Sequence, residues 1–344
     1  MSTNTFKILS IDGGGIRGVI PGMILAEIEK RTGKPISELF NLISGTSTGG
    51  ILAAGLTLPK DGKPRYSAAD LVGLYEKNGG EIFKSSWFSS ISSVWDNTFD
   101  QGGIEKVLLE YFKDIMLSEA LTQVLVTTYD IESRSTFYFN SRLAKAHKEE
   151  NFFMRDVARC TSAAPTYFEP KQLEVRGKLR AFVDGGVFAN NPSVLAYVEA
   201  KRVYQPTSES EPAPDTASRE FSFMDVAARE IEEPFFMLSL GTGTSGKSFP
   251  YKEAKDWGLV GWVRPIVDIL MQGTADTVHY QMRQLLPPHT DGAPRYVRLN
   301  THLKAEHSDM ADASAENIAA LKVYADKIIS DHSAEIDQVC KMLV

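Results

Sequence analysis

The sequence predicts an α/β protein built on a mostly parallel sheet. Two observations carry this. Short apolar, β-favouring runs end in glycine turns, and each of the first two turns leads into a helical pattern. The first sixty residues therefore read strand, glycine turn, helix, strand, glycine turn, helix, which is the alternation of a parallel α/β sheet.

Lys7 to Ile11 is the first strand, ending in Asp12-Gly13-Gly14-Gly15. The helix that follows has Pro21 in its first turn and Met23, Ile24, Leu25 and Ile28 at helical spacing, and Gly33-Lys34-Pro35 stops it. Phe40 to Ser44 is the second strand. It runs through Gly45-Thr46-Ser47-Thr48-Gly49-Gly50 into an Ala/Leu-rich helix reaching about Leu58. Further strands are expected at Leu121–Thr128, Ser135–Asn140, Leu179–Val183 and Phe235–Leu240, with helices at Arg155–Ser162 and Ala313–Ile329. Pro206 to Ser218, rich in Pro, Ser and acid, reads as an exposed loop. Ser85 to Gly103, with Trp87, Phe88, Trp95 and Phe99 among serines, reads either as a flap or as a loop packed by its own aromatics. No domain linker is evident, so a single domain with loop insertions is expected.

Bulk properties exclude several function classes. A net charge of -7 argues against a nucleic-acid polymer as partner and against standing attachment to anionic lipid. Cys160 and Cys340 belong to no metal-type spacing, and two free thiols are expected. The start of the sequence lacks the pattern of a signal peptide, and no apolar run approaches the roughly 18 residues of a spanning helix. The expectation is a cytoplasmic protein that visits a membrane surface only when active.

Three motifs carry chemistry. Gly13-Gly14-Gly15-Ile16-Arg17-Gly18 fits a dinucleotide-binding fingerprint, but the ribose-binding carboxylate that should follow the second strand is missing. The same glycines suit a different role, because backbone N–H groups at a helix-opening turn favour negative charge, including the oxyanion of acyl transfer. Arg17 adds positive charge, either for a lipid phosphate or for structure. Gly45-Thr46-Ser47-Thr48-Gly49 matches G-x-S-x-G between strand and helix, the setting of a nucleophile elbow. Ser47 would then need a proton acceptor. None of the six histidines (His147, His279, His289, His302, His307, His332) has a supporting pattern. Asp184 closes an apolar strand before Gly185-Gly186 and is the better base, with an Asx turn or helix cap as the bland alternative.

Together these motifs resemble the patatin-like phospholipase family, in its bacterial form: Asp12-Gly-Gly-Gly-Ile-Arg-Gly18 as oxyanion loop, Gly45-Thr-Ser-Thr-Gly-Gly50 as elbow, Asp184-Gly-Gly186 as the aspartate motif. Thr161-Ser-Ala-Ala-Pro-Thr-Tyr-Phe168, Asn190-Asn-Pro192 and Leu238-Ser-Leu-Gly-Thr-Gly243 add to it. The resemblance spans residues 5 to 245. It implies a three-layer α/β/α fold and a Ser47–Asp184 dyad without histidine, metal or cofactor. It also implies Gly14 and Gly15 as oxyanion donors and acyl-lipid esters as substrates. Residues 246–344 match nothing and are expected as a helical extension packed on the same domain. Three alternatives accompany this reading. One is an acyltransferase, and another is a storage or binding protein without relevant activity. The third is an effector switched on by a cyclic nucleotide, as in some bacterial patatin-like antiphage enzymes, with Trp257, Trp262, Arg264 and Arg283 as possible contacts. Oligomeric state is not legible.

Overall fold

The computed structural model describes residues 5–89, 102–204 and 234–344. The segment Pro206–Ser218, and most of the segment Ser85–Gly103, lie outside the described residues. Among the described residues the centre is an eight-stranded sheet. Its strands are β1 (Phe6–Ile11), β2 (Leu42–Thr46), β3 (Gln123–Asp130), β4 (Ser135–Asn140), β5 (Lys171–Val175), β6 (Lys178–Asp184), β7 (Phe235–Leu240) and β8 (Tyr296–Leu299). The parallel part runs β8-β7-β1-β2-β3. β4 and β6 pair antiparallel with β3, and β5 with β6.

The strands of the parallel part are buried on both faces, which is why they read as apolar runs rather than alternating ones. Side chains of opposite parity enter two separate cores. Leu9, Ile11, Ile43, Val124, Val126, Leu238 and Leu240 face one. Ile8, Leu42, Leu125, Phe235 and Met237 face the other. The first core is covered by α1 (Val19–Thr32), α2 (Thr48–Leu56), α3 (Ala68–Ser89), α4 (Gly102–Phe112), α5 (Met154–Thr161), α8 (Ala315–Asp331) and α9 (Ser333–Leu343). The second is covered by α6 (Ser193–Tyr204) and the end of α7 (Gly258–Leu285). The result is three layers, helix over sheet over helix, as expected.

Three differences from the sequence reading bear on the site. First, β6 exists and ends at Asp184, but it is antiparallel, not one of a parallel set. A strand offers two edges, and β4 takes one edge of β3 across Leu125–Asp130. β2 and β6 therefore share the other, β2 along residues 123–127 and β6 along residues 128–130. The two strands run toward each other and stop face to face, with Thr46 opposite Thr127 and Asp184 opposite Thr128. Second, residues 246–344 are not only helical: β8 extends the sheet beside β7. Third, α7, 28 residues long, was not legible, because Gly258, Gly261, Pro265 and Gly273 interrupt its pattern. No helix among the described residues is long and apolar enough to cross a membrane. Cys160 and Cys340 are free and buried.

Leu238 sits at the middle of β7 with no exposed surface. Leu238→Ala should cost about 2–5 kcal/mol in chemical denaturation, by lost transfer energy plus the cavity left in a sheet flanked on both faces.

Candidate active site

Ser47 stands where β2 turns into α2, with φ 54 and ψ -124. A non-glycine residue rarely holds such a backbone; the cost is about 1–3 kcal/mol and persists only where the surroundings enforce it. The enforcement is visible. The Ser47 N–H donates to Thr161 Oγ1 at 2.8 Å, and that hydroxyl donates to Thr127 O at 2.7 Å. The flanking glycines are required by space: a Cβ on Gly45 would lie 2.1 Å from Gly49 O, and one on Gly49 would lie 2.2 Å from Ile11 O.

Asp184 arrives from the opposite direction. Its N–H donates to Ala163 O at 3.0 Å, so the segment Thr161–Ala163 at the end of α5 grips both residues. Two threonines of β3 hold the strand ends: Thr46 and Thr127 hydroxyls meet at 2.7 Å, and Thr128 Oγ1 donates to Val183 O at 2.7 Å. Gly185 lies flush on Thr127, and the Gly186 N–H donates to Asp184 Oδ1 at 2.7 Å. The other oxygen, Oδ2, is buried and has no hydrogen-bond partner among the described residues. Burial raises the Asp184 pKa to about 7, against the opposing pull of the Ser47 hydroxyl and the Gly186 amide. A carboxylate so placed is a far stronger base than a solvated one.

The glycine loop lies beside Ser47: a Cβ on Gly13 would fall 3.2 Å from Ser47 Cβ. Its backbone donors are unevenly used. Gly13 N–H donates to Asn190 O at 3.0 Å and Ile16 N–H to Met310 O at 2.9 Å. Gly14 and Gly15 between them have no acceptor among the described residues. Gly15 has φ 59. Arg17 is buried and its Nε donates to Gly14 O at 3.3 Å. Gly18 packs on Thr48 and Tyr75, whose hydroxyls are in contact. The glycine loop, the serine turn and the aspartate turn singled out in the sequence thus converge.

Ser47, Asp184 and Gly15 share a cleft of about 680 Å³, mouth included. Its walls are almost wholly apolar: Ile51, Leu74, Ile82, Ile104, Leu108, Tyr167, Phe168, Met271, Met310 and Ala311. No histidine lines it among the described residues. Among the described residues no cluster suits a metal. Trp257 and Trp262 pack edge-on against each other, and Trp257 against Phe249.

Sequence reasoning missed the supports that come from afar. Arg298 of β8 forms a bidentate ion pair with Asp12, at 2.6 and 3.2 Å, and both side chains are buried. Arg298 also donates to Ser239 Oγ at 2.8 Å. Thr242 Oγ1 donates to Gly13 O at 2.6 Å. Asp12 was in view as part of a motif, but nothing in the sequence paired it with a residue 286 positions away.

A family described as "Patatin-like phospholipase" matches residues 9–197. The chain belongs to the patatin-like phospholipase family. Patatin-like protein 4 of Arabidopsis thaliana is 31% identical over 95% of this chain and 84% of its own length. Patatin-like protein 2 of the same plant is 30% identical over 97% and 85%. A Solanum tuberosum protein named "Probable inactive patatin-3-Kuras 1" is 30% identical over 95% and 87%. These patatin-like relatives align over nearly the whole chain, so the likeness extends well past residue 245, into the segment where the sequence motifs give out.

Two outcomes follow for this patatin-like chain. Arg298→Ala leaves the Asp12 carboxylate buried without its partner, and should cost about 3–5 kcal/mol in denaturation. The Asp184 pKa is raised in the folded state, from about 3.9 unfolded to about 7. Wild type should therefore lose stability as pH rises from about 4 to about 7 and level off above, where the penalty reaches about 4 kcal/mol at most. Asp184→Asn lacks that penalty. Its melting temperature relative to wild type should climb over the same window.

Proposed function

We propose that the chain hydrolyses fatty-acyl esters of membrane lipids through a Ser47–Asp184 dyad. The observation that carries this is the abutment of β2 and β6 on one edge of β3, which sets a strained serine against a buried carboxylate on the wall of an apolar cleft. The Ser47 hydroxyl attacks the ester carbonyl while Asp184 Oδ2, which has no other partner among the described residues, accepts its proton. The N–H groups of Gly14 and Gly15 receive the oxyanion, helped by the N-terminal end of α2. The proton then passes to the leaving alkoxide, and an acyl group stays on Ser47. Water activated by the same carboxylate attacks that ester, releases the fatty acid and restores the hydroxyl. Each of these steps is carried by side chains and backbone groups of the chain itself.

The apolar walls suit an acyl chain, whose burial contributes about 0.8 kcal/mol per methylene. The substrate comes from a membrane, and the enzyme contacts that surface transiently. The intact dyad favours hydrolysis over a storage role.

Fatty-acid release from mixed phospholipid vesicles tests this. Ser47→Ala and Asp184→Ala should each lose activity by about a thousandfold or more while keeping the wild-type circular dichroism. Release at the native rate by Ser47→Ala removes the assignment. For wild type, kcat/KM should rise with pH and level off above about 7, as Asp184 ionises and becomes competent as base.

A further inference from the structure

The outer side of α7 is apolar. Trp262, Ile266, Ile269 and Leu270 recur at helical spacing and share that side, and each is 42–46% exposed. Gly273 continues the same side and is exposed as well. The one charged residue in the stretch 265–275, Asp268, is turned inward. With Gln272 and Ala275 it lines a polar pocket of about 470 Å³ beside the glycine loop. Met271, also inward, lines both that pocket and the apolar cleft. A surface helix ordinarily turns its apolar stripe to the core, so a stripe turned the other way marks a surface that something else covers. We propose that this stripe docks the protein on a lipid layer, with Trp262, Ile266, Ile269 and Leu270 seated among the acyl chains. The proposal rests on the reading of Ser47 as the nucleophile toward a lipid ester.

Three observations favour a lipid layer over a protein partner. The first is area. A large side chain presents about 150–250 Å², so four that are a little under half exposed offer on the order of 350 Å². A stable protein partner covers about 800 Å² on each side. A helix lying in a lipid interface needs only a narrow stripe, sunk about 5–10 Å into the layer.

The second is the border of the stripe. Lys247 lies over the Phe249 ring at 5.8 Å, Phe249 packs edge-on against Trp257 at 5.4 Å, and Trp257 against Trp262 at 5.0 Å. A continuous run of rings thus joins the stripe to an exposed cation. Indole rings and lysine ammonium groups suit the level of the lipid phosphates, where an apolar body is buried and a polar tip stays wet. The third is position. A Cβ on Gly186, two residues past Asp184, would lie 3.1 Å from Met271 Cε. The inner side of α7 therefore rests on the aspartate turn, and the layer on its outer side stands about one helix diameter, 10–12 Å, away. That is a short path for an ester drawn out of the layer.

The test separates docking from catalysis. Ser47→Ala protein, which leaves lipid intact, is sedimented with phosphatidylcholine vesicles. Ile266→Ser combined with Ile269→Ser should weaken its partition about tenfold or more. The same two changes in the enzyme that retains Ser47 should leave hydrolysis of soluble p-nitrophenyl butyrate at the wild-type rate. An environment-sensitive fluorophore on Ile269→Cys should shift to the blue when vesicles are added, and the same label on Val323→Cys, 67% exposed on α8, should not. The proposal falls if the serine pair binds vesicles as the parent protein does, if both labels respond alike, or if the parent protein does not bind. It falls too if sedimentation without lipid shows a dimer that the serine pair splits, because a second copy then covers the stripe. A wild-type enzyme that leaves the butyrate ester intact sinks the reading of Ser47, and the vesicle result still decides the stripe.

Discussion

The structure turns on a shared strand edge. β3 offers one line of backbone groups, and two strands running in opposite directions divide it between them. Because their ends meet at Thr127 and Thr128, the residue after one strand and the last residue of the other become neighbours with no loop to position them. Sheet hydrogen bonds set that spacing, and sheets do not slip by a residue without turning every side chain over. The placement of Ser47 beside Asp184 thereby inherits the rigidity of the sheet. Thr161 and Ala163, at the end of α5, add a second grip on the same two residues.

Much of this was legible in the sequence, and the rest was not for physical reasons. The elbow was legible because steric crowding at Gly45 and Gly49 leaves a local signature that spacing alone reveals. The glycine loop was legible for a similar reason. Asp184 at a strand end was legible too, but the direction of that strand was not. Strand direction depends on pairing with distant residues and leaves no trace in a seven-residue apolar run. β2 and β3 each lie two residues later than their apolar runs suggest, because tertiary pairing, not propensity, decides which residues join the ladder. Arg298 shows the limit most clearly. An arginine in a short apolar run looks like an exposed edge position, and only the register with Ser239 carries it to Asp12.

The two pockets differ in the polarity of their walls. The apolar cleft is walled by side chains from α3, α4 and α7, and the polar pocket by the turns after β1 and β7 together with α7. One helix contributes to both: its Met271 lines the two spaces, and its Asp268, Gln272, Ala275 and Asp276 line the polar one.

The anchoring of the glycine loop also orders events in time. The loop is written near the start of the chain, yet three of its ties lie far downstream: Thr242, Arg298 and the carbonyl of Met310. A ribosome has produced the loop, the serine and the aspartate long before it reaches the last of these. Until that point the pair of open N–H groups lacks these three anchors, although the tie of the Gly13 N–H to Asn190 O is already available. The emerging polypeptide therefore carries the loop, Ser47 and Asp184 before the downstream residues that anchor the loop exist.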